Sequence, residues 1–457
     1  MAKEIAIFGG SFNPPGEHHR AIARLLSDHF DEIVVVPCGP RPDKPITNDV
    51  EPVYRAAMVD MTFRATPSVR VELFDLEESS FTRTHDLDQR FRHEGTIWHV
   101  VGTDLVQGGA EGSSAIHRTW KCGVHLWHGA RFAVIKRPGY ELDVRDLPPQ
   151  SRVIEIAVEG ASSAIRERVF RHLPIENLVR PEVARYIERH GLYRGSPPLR
   201  STRLALDEFR PWVIMDERNP VACAVAKDFP TSSPDPNLIL VIGGDGTMLR
   251  AIRQHWRRRL PFFGINAGHT GFLLNNVKAP FAPGEEFVLQ QLPLLWVETE
   301  DAHGMKKTAL AFNDAWVERA AGQTAWLQVT VNGQERLPQL VADGVLVATA
   351  AGSTSYASAM GATPVPLNTP ALLLVGSNVL RPTFWRPVVL PQDSVVEVRT
   401  LDPAKRPLRG FIDGVAQGEV LSMKARASNI AAVELAFDPR FDPAEKLAHI
   451  QFPPPGS

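Results

Sequence analysis

Two short apolar runs that stop at glycines constrain this chain more than any other feature. Residues 5–8 lead into Gly9-Gly10, and residues 238–242 lead into Gly243-Gly244-Asp245-Gly246-Thr247. Neither run alternates apolar with polar side chains. Continuous runs of this kind suit strands buried on both faces of a parallel sheet. Similar runs stand at 33–36, 96–101, 132–135 and 153–158, with enough chain between them for helices, and residues 19–30 have helical spacing. Parallel sheets place ligand sites beyond the carboxyl ends of their strands. Chemistry is therefore expected at Gly9-Gly10, at Gly102-Thr103-Asp104 and at the second glycine cluster.

The rest of the pattern suggests an order of units. A helix over 181–190 closes the first, and Gly195-Ser196-Pro197-Pro198 breaks the chain after it. A second α/β segment begins at 212–215 and continues through the strand at 238–242 and a helix over 248–255. Past residue 276 come a hairpin signal, Asn332-Gly333 after Val329-Thr330-Val331, and strand-like stretches at 394–399 and 410–420. The expected organisation is a first α/β domain at 1–195, a linker at 196–204, a second α/β lobe at 205–275, and a mainly antiparallel β subdomain with a C-terminal return at 276–457. A short tail of low complexity is expected at 453–457.

Composition excludes several classes of function. Of 457 residues, 50 are Lys or Arg and 52 Asp or Glu, a formal net charge of −2, which argues against a broad nucleic-acid face. No apolar stretch approaches the roughly 18 residues of a membrane span. The first residues turn to glycine too soon for a secretory leader. The three cysteines, Cys38, Cys122 and Cys223, lie far apart, with neither a CxxC pair nor metal-ligand spacing. A cytoplasmic chain with no membrane or nucleic-acid partner is expected.

Gly9-Gly10-Ser11-Phe12-Asn13-Pro14 runs into Gly16-Glu17-His18-His19-Arg20 at the expected start of a helix. Glycines let the backbone approach a ligand, and a helix amino terminus presents unpaired N–H groups to an anion. Histidines add donors that stabilise charge on a polyphosphate. Ser162-Ser163-Ala164-Ile165-Arg166 follows the last strand of the unit, with the serines placed to cap a helix and Arg166 to grip a second phosphate.

Together, GGSFNPP…HH and SSAIR resemble the nucleotidylyltransferase superfamily, specifically the pyridine-mononucleotide adenylyltransferases. Gly102-Thr103-Asp104-Leu105, Lys136-Arg137-Pro138-Gly139-Tyr140 and Gly191-Leu192-Tyr193-Arg194 are similar to its bacterial nicotinate-mononucleotide branch. The resemblance covers about residues 1–195 and implies a Rossmann-like domain that joins a mononucleotide to ATP with release of pyrophosphate. It implies ATP and phosphate contacts at Gly9, Gly10, Ser11, Phe12, His19, Ser162, Ser163 and Arg166, and mononucleotide contacts at Trp120, Thr84 and Asp104. The family's HxGH motif falls on Gly16-Glu17-His18-His19. His19 matches the second histidine, Gly16 replaces the first, and His18 stands where glycine is usual. His18 and His19 are thus the candidate catalytic residues of this half.

In the second cluster, three glycines surround one carboxylate at the mouth of a strand–turn–helix. The pattern fits neither GxxxxGK[ST] nor GxGxxG. A carboxylate in a phosphate-binding turn suits a base or a magnesium partner. GGDGT occurs in NAD kinases, diacylglycerol-type lipid kinases and 6-phosphofructokinases. Asn266-Ala267-Gly268-His269-Thr270-Gly271-Phe272-Leu273, Asn313-Asp314, Asp343-Gly344, Thr349–Tyr356 and Asp413-Gly414 resemble successive NAD kinase motifs over about residues 205–440. Asp stands for the usual Glu at 314, and Ala350-Ala351 for Pro-Thr. The resemblance implies phosphorylation of the adenosine 2′-hydroxyl of NAD by ATP, with Mg²⁺. It makes Asp245 the base and places Gly243, Gly244, Gly246, Thr247, Asn266, Asn313, Asp314, Asp343, Thr349, Ser353 and Tyr356 around NAD and ATP. Assembly into a homo-oligomer through this domain is also implied.

The product of the first reaction is the substrate of the second, so the leading expectation is one chain that makes NAD and then NADP. The alternative is an NAD kinase whose N-terminal domain only senses nucleotides. A lipid kinase is disfavoured by Phe272-Leu273 and by the absence of a basic amphipathic helix.

Overall fold

The computed structural model describes residues 2–41, 49–139, 141–268, 271–276, 284–440, 447–448 and 452. Tyr140, His269, Thr270 and the tail at 453–457 lie outside the described residues. The chain divides into two compact units, Met1–Leu199 and Arg200–Ser457.

The first unit is built on six parallel strands in the order Val69–Val71, Glu32–Pro37, Glu4–Gly10, Thr96–Gly102, Arg131–Lys136 and Ser151–Glu155. The order reverses beside Glu4–Gly10, which makes the crevice between its carboxyl end and that of Thr96–Gly102 the ligand position of such a sheet. Successive side chains of a strand point to opposite faces. Ala6 and Phe8 pack with Ile33 and Val35 against Ile22 and Leu26 of the helix Glu17–Ser27. Ile5 and Ile7 pack with Val34 and Val36 against Leu87 and Phe91 of Thr84–Phe91. Both faces are covered, which is why the run is apolar without alternation. The last strand ends at Glu155, short of the expected residue 158, and Val158 is exposed. The helix Pro181–His190 packs on Pro52–Phe63 through Val183, Ile187, Tyr54 and Met58, and Gly191 ends it in a left-handed conformation.

In the second unit, Pro211–Met215, Leu238–Gly243 and Phe262–Asn266 are parallel. Ser422–Phe437 joins them parallel to Phe262–Asn266 and pairs antiparallel with Glu286–Glu300 along most of its length. The sheet therefore runs on through Val396–Thr400, Ala325–Val331 and Gln334–Ala342 without a break at residue 275. Residues 201–204, expected as linker, belong to the strand Ser201–Ala205 on the edge of Glu286–Glu300. A second, antiparallel sheet has the order Val388–Pro391, Ala371–Ser377, Gly344–Thr349, Asp314–Arg319, Leu408–Ile412, Val415–Val420. Leu327, Val329, Val396 and Val398 of the first sheet share one core with Val317, Val345, Val347 and Leu372 of the second. Asn332 and Gly333 both take positive φ, as a two-residue hairpin between right-twisted strands requires.

Asn275 ties this unit together at its centre. Its fully buried side chain donates to the carbonyls of Gly264 and Ala436 and accepts the N–H of Asp438, all at 3.0–3.1 Å. Asn275→Ala removes all three side-chain bonds and leaves the Asp438 N–H without this acceptor, while the Gly264 carbonyl keeps the N–H of residue 275, so it is expected to lower stability by about 2–4 kcal/mol in urea denaturation. A loss below about 0.5 kcal/mol would contradict this role.

Candidate functional site

The first site starts at Gly9. Its backbone is not left-handed, and a Cβ there would meet no atom within 4 Å. Neither strain nor neighbours require glycine, so the bare backbone leaves room for an incoming group. The loop beyond is pinned from a distance. Arg55, 1% exposed, donates to the carbonyls of Ser11 and of Cys38. Tyr193 Oη donates to Asn13 Oδ1 at 2.6 Å, and Arg166 Nη1 to the Asn13 carbonyl at 2.5 Å. Phe12, expected among the phosphate contacts, turns its ring into the core against Phe8, Phe63 and His19. The expected serine caps are also corrected. Ala161 occupies the cap of the helix Ser162–Phe170, no side chain caps it, and Ser162 Oγ instead donates to the Pro14 carbonyl at 2.8 Å. Ser163 is exposed in the first turn of that helix.

His18 and His19 begin the helix Glu17–Ser27 with ring centroids 3.9 Å apart. Gly16 N–H donates to His19 Nδ1 at 3.1 Å, so neutral His19 carries its proton on Nε2 and is a hydrogen-bond donor there. Burial, reinforced by the charge of Arg137, lowers His18 to about 4. Burial, then His18 and Arg137, hold His19 well below the ordinary histidine value. Arg137 is exposed, and its guanidinium makes no ion pair among the described residues. It stands in the Lys136–Tyr140 segment quoted for the resemblance, which gave it no role of its own.

A cleft of about 400 Å³ opens at the carboxyl ends of the central strands. Gly9 and Gly10 line it with Thr84 and Trp120, so these four expected residues share one cavity. Asp104 is exposed and does not line it; Leu105 does. Arg41, Asp75, Thr82, Arg83 and Lys121 also line the cleft and were not identifiable from local pattern. Burial raises Asp75 even though it accepts Thr82 N–H and Oγ1.

The second site begins at Gly243. A Cβ there would lie 2.7 Å from Thr247 Oγ1, so close packing requires this glycine, whereas Gly244 and Gly246 face open space. The helix Asp245–His255 starts three residues before the expected position, with extended Gly244 as its cap. Asp245 Oδ2 accepts the N–H of Phe272 and Oδ1 that of Leu273, both at 3.0 Å. The GGDGT carboxylate is thereby joined to the segment at 271–273. Asn266 bends the turn between them, accepting Gly268 N–H and donating to Asn276 Oδ1.

A second carboxylate, Asp413, organises the segment at 312–314. It accepts the N–H groups of Phe312, Asn313 and Asp314. Sequence reading assigned it no role, because these contacts span about a hundred residues. Asn313 Oδ1 is buried with no hydrogen-bond partner. Asp314 is 3% exposed, and burial next to Asp413 raises it to about 7. Three expected pocket residues are committed elsewhere. Asp343 pairs with Arg319 at 2.6 Å and accepts Asn378 Nδ2. Thr349 Oγ1 donates to the Phe312 carbonyl and accepts Gly352 N–H. Ser353 Oγ, fully buried, bonds both backbone groups of Val365. Tyr356 is 39% exposed with its ring 5.0 Å from that of Trp316. No group of three or more His, Cys, Asp or Glu side chains able to hold a metal is found among the described residues. No helix among the described residues is long and apolar enough to cross a membrane.

Parallel strands that end in bare glycine turns at helix amino termini define an α/β chain of the nucleotide-binding class, with one such turn in each unit. Residues 7–168 match the cytidylyltransferase-like family, and residues 180–282 match the ATP-NAD kinase N-terminal domain. NAD kinases of Rickettsia bellii and Brucella suis are 32% and 35% identical to this chain, each over 48% of it and over 86% and 87% of their own lengths. That of Cereibacter sphaeroides is 33% identical over 48% of this chain and 87% of its own length. The chain belongs to the NAD kinase family and carries a cytidylyltransferase-like domain ahead of the kinase part.

Asp314 gives a pH prediction. A carboxyl raised in the folded state stays protonated there while the unfolded chain ionises, so its contribution is complete at low pH and is lost as pH rises from about 4 to about 7. Asp314→Asn keeps a neutral group throughout. Its stability relative to the parent is expected to improve by roughly 2–4 kcal/mol between pH 4 and pH 8 in denaturant titrations. An unchanged difference across that range would contradict the assignment.

Proposed function

We propose that this chain is a bifunctional enzyme that joins nicotinamide or nicotinate mononucleotide to ATP and then phosphorylates NAD to NADP. The observation that carries this reading is the pair of glycine turns at strand ends whose missing side chains leave open space, at Gly9 near the end of its strand and at Gly244 and Gly246 where the helix Asp245–His255 begins.

In the first step a phosphate oxygen of the mononucleotide attacks the α-phosphorus of ATP, and the bond to the pyrophosphate oxygen breaks. No covalent enzyme intermediate is needed, so the protein's work is placement and charge stabilisation. The cleft holding Thr84 and Trp120 takes the mononucleotide, with the indole as a stacking surface for the pyridine ring. His19 Nε2–H, Arg166 and the amides after Gly9 face the triphosphate.

In the second step the adenosine 2′-hydroxyl attacks the γ-phosphorus of ATP and ADP leaves. The Asp245 carboxylate, fixed by the amides of Phe272 and Leu273, is the base of this reading and takes the hydroxyl proton. The unpartnered Asn313 Oδ1 and the Asp314 carboxyl are suited to paired ribose hydroxyls. Mg²⁺ enters with ATP and offsets phosphate charge. A cytoplasmic setting and assembly of copies through the kinase unit belong to the same reading.

Asp245→Asn is expected to lower phosphorylation of added NAD by about 10²–10⁴-fold. Pyrophosphate release from ATP and mononucleotide should remain within about twofold of the parent. Loss of both activities, or of neither, would overturn the assignment.

A further inference from the structure

His99 lies in the strand Thr96–Gly102, is 3% exposed, and lines the cleft of the first unit. Its Nε2 is 3.2 Å from Oδ1 of Asp88, which stands on the helix that Thr84 begins. The bond from His99 holds Asp88 below the usual carboxylate range, so this carboxylate is ionised and only accepts. Nε2 therefore carries the proton, and the neutral ring in that tautomer has a lone pair at Nδ1. Nδ1 makes no hydrogen bond among the described residues, yet it is not sealed from solvent. The opening it meets is the cleft. The ring of Phe132 packs against both His99 and Trp120, at centroid distances of 6.1 and 6.4 Å. A buried acceptor thus stands on the sheet floor of the cleft, in the neighbourhood of the indole.

We propose, resting on the adenylyl-transfer reading, that His99 selects the substrate of the first unit: its Nδ1 accepts a carboxamide N–H on the pyridine ring, so that the amide mononucleotide is preferred to the acid. A pyridine carboxylate brings no N–H, and its oxygen would face the Nδ1 lone pair with nothing to bond. Asp88, by holding Nε2–H, keeps the ring from presenting a donor there instead. The other charged groups of the cleft have different work. Asp75 spends its carboxylate on Thr82 and Ser80. Lys121 pairs with Asp86 at 2.7 Å, and Arg41 lies over the Phe81 ring at 4.9 Å. These two cations, with Arg83, come from connections between elements and not from the sheet floor, which suits them to the phosphate of the mononucleotide. The dinucleotide made from the amide is NAD itself, the substrate that the second reaction requires.

The test removes the acceptor and then restores one. His99→Leu and His99→Asn are compared with the parent in the full chain, the asparagine because its Oδ1 can take the place of Nδ1. The readouts are kcat/KM for pyrophosphate release with nicotinamide and with nicotinate mononucleotide, and the affinity for each by calorimetry. The parent should prefer the amide. His99→Leu should lose about 10–100-fold in kcat/KM on the amide and stay within about threefold on the acid, which also shows that the variant is folded. His99→Asn should recover part of the loss on the amide alone. A parent that prefers the acid, or a His99→Leu variant that loses both substrates alike or neither, would overturn the proposal while leaving adenylyl transfer in place. If the parent releases no pyrophosphate from either mononucleotide, the adenylyl-transfer reading fails and affinity decides separately. Amide mononucleotide binding that weakens in His99→Leu and returns in part in His99→Asn supports the contact, and equal or absent binding in all three proteins refutes it.

Discussion

A parallel strand buried on both faces has to pass its chain to a helix at its carboxyl end, and the amides of that helix start have no partner within the helix. Everything that distinguishes this molecule is arranged around two such handovers. At the first, Glu4–Gly10 gives way to the loop that enters the helix Glu17–Ser27. At the second, Leu238–Gly243 gives way to Asp245–His255. Apolar residues on both faces fix each strand, and the bare backbone beyond it is left for a ligand.

The two handovers are held open by different means. In the first unit, buried Arg55 and half-buried Tyr193 grip the loop by the Ser11 carbonyl and by Asn13. In the second unit, carboxylates do the holding. Asp245 collects the amides of 272 and 273, and Asp413 those of 312–314. A carboxylate that accepts several amides is fixed in place and fixes the loops that supply them. The price is a buried acid next to Asp413, and Asp314 carries it as a raised carboxyl.

Much of this was legible in the residues. The runs at 5–8 and 238–242 lack alternation because both of their faces are covered, and Thr84 and Trp120 do line one cleft with Gly9 and Gly10. What was illegible acts across long stretches of chain. Ser162 looked like a cap from its neighbours, yet its hydroxyl reaches the Pro14 carbonyl 148 positions away. Arg55 carries no local signature, and Asp413 stands in a quoted motif segment that gave it no role, since the partners of both come from remote loops. Asp343 and Thr349 sit in motif positions, but an arginine across the sheet and a neighbouring carbonyl occupy them. The sheet also crosses the expected boundary at 275, because Ser422–Phe437 and Glu286–Glu300 are long enough to serve both of its parts.

The central claim is that one chain performs two successive reactions on one product line. The direct measurement is a time course with ATP, Mg²⁺ and either nicotinamide or nicotinate mononucleotide, with products separated by chromatography. The account predicts that the dinucleotide and pyrophosphate accumulate first and that, from the amide substrate, NADP follows at the expense of NAD. No product from either mononucleotide, with added NAD still phosphorylated, would contradict it and leave a kinase whose first unit only binds nucleotides.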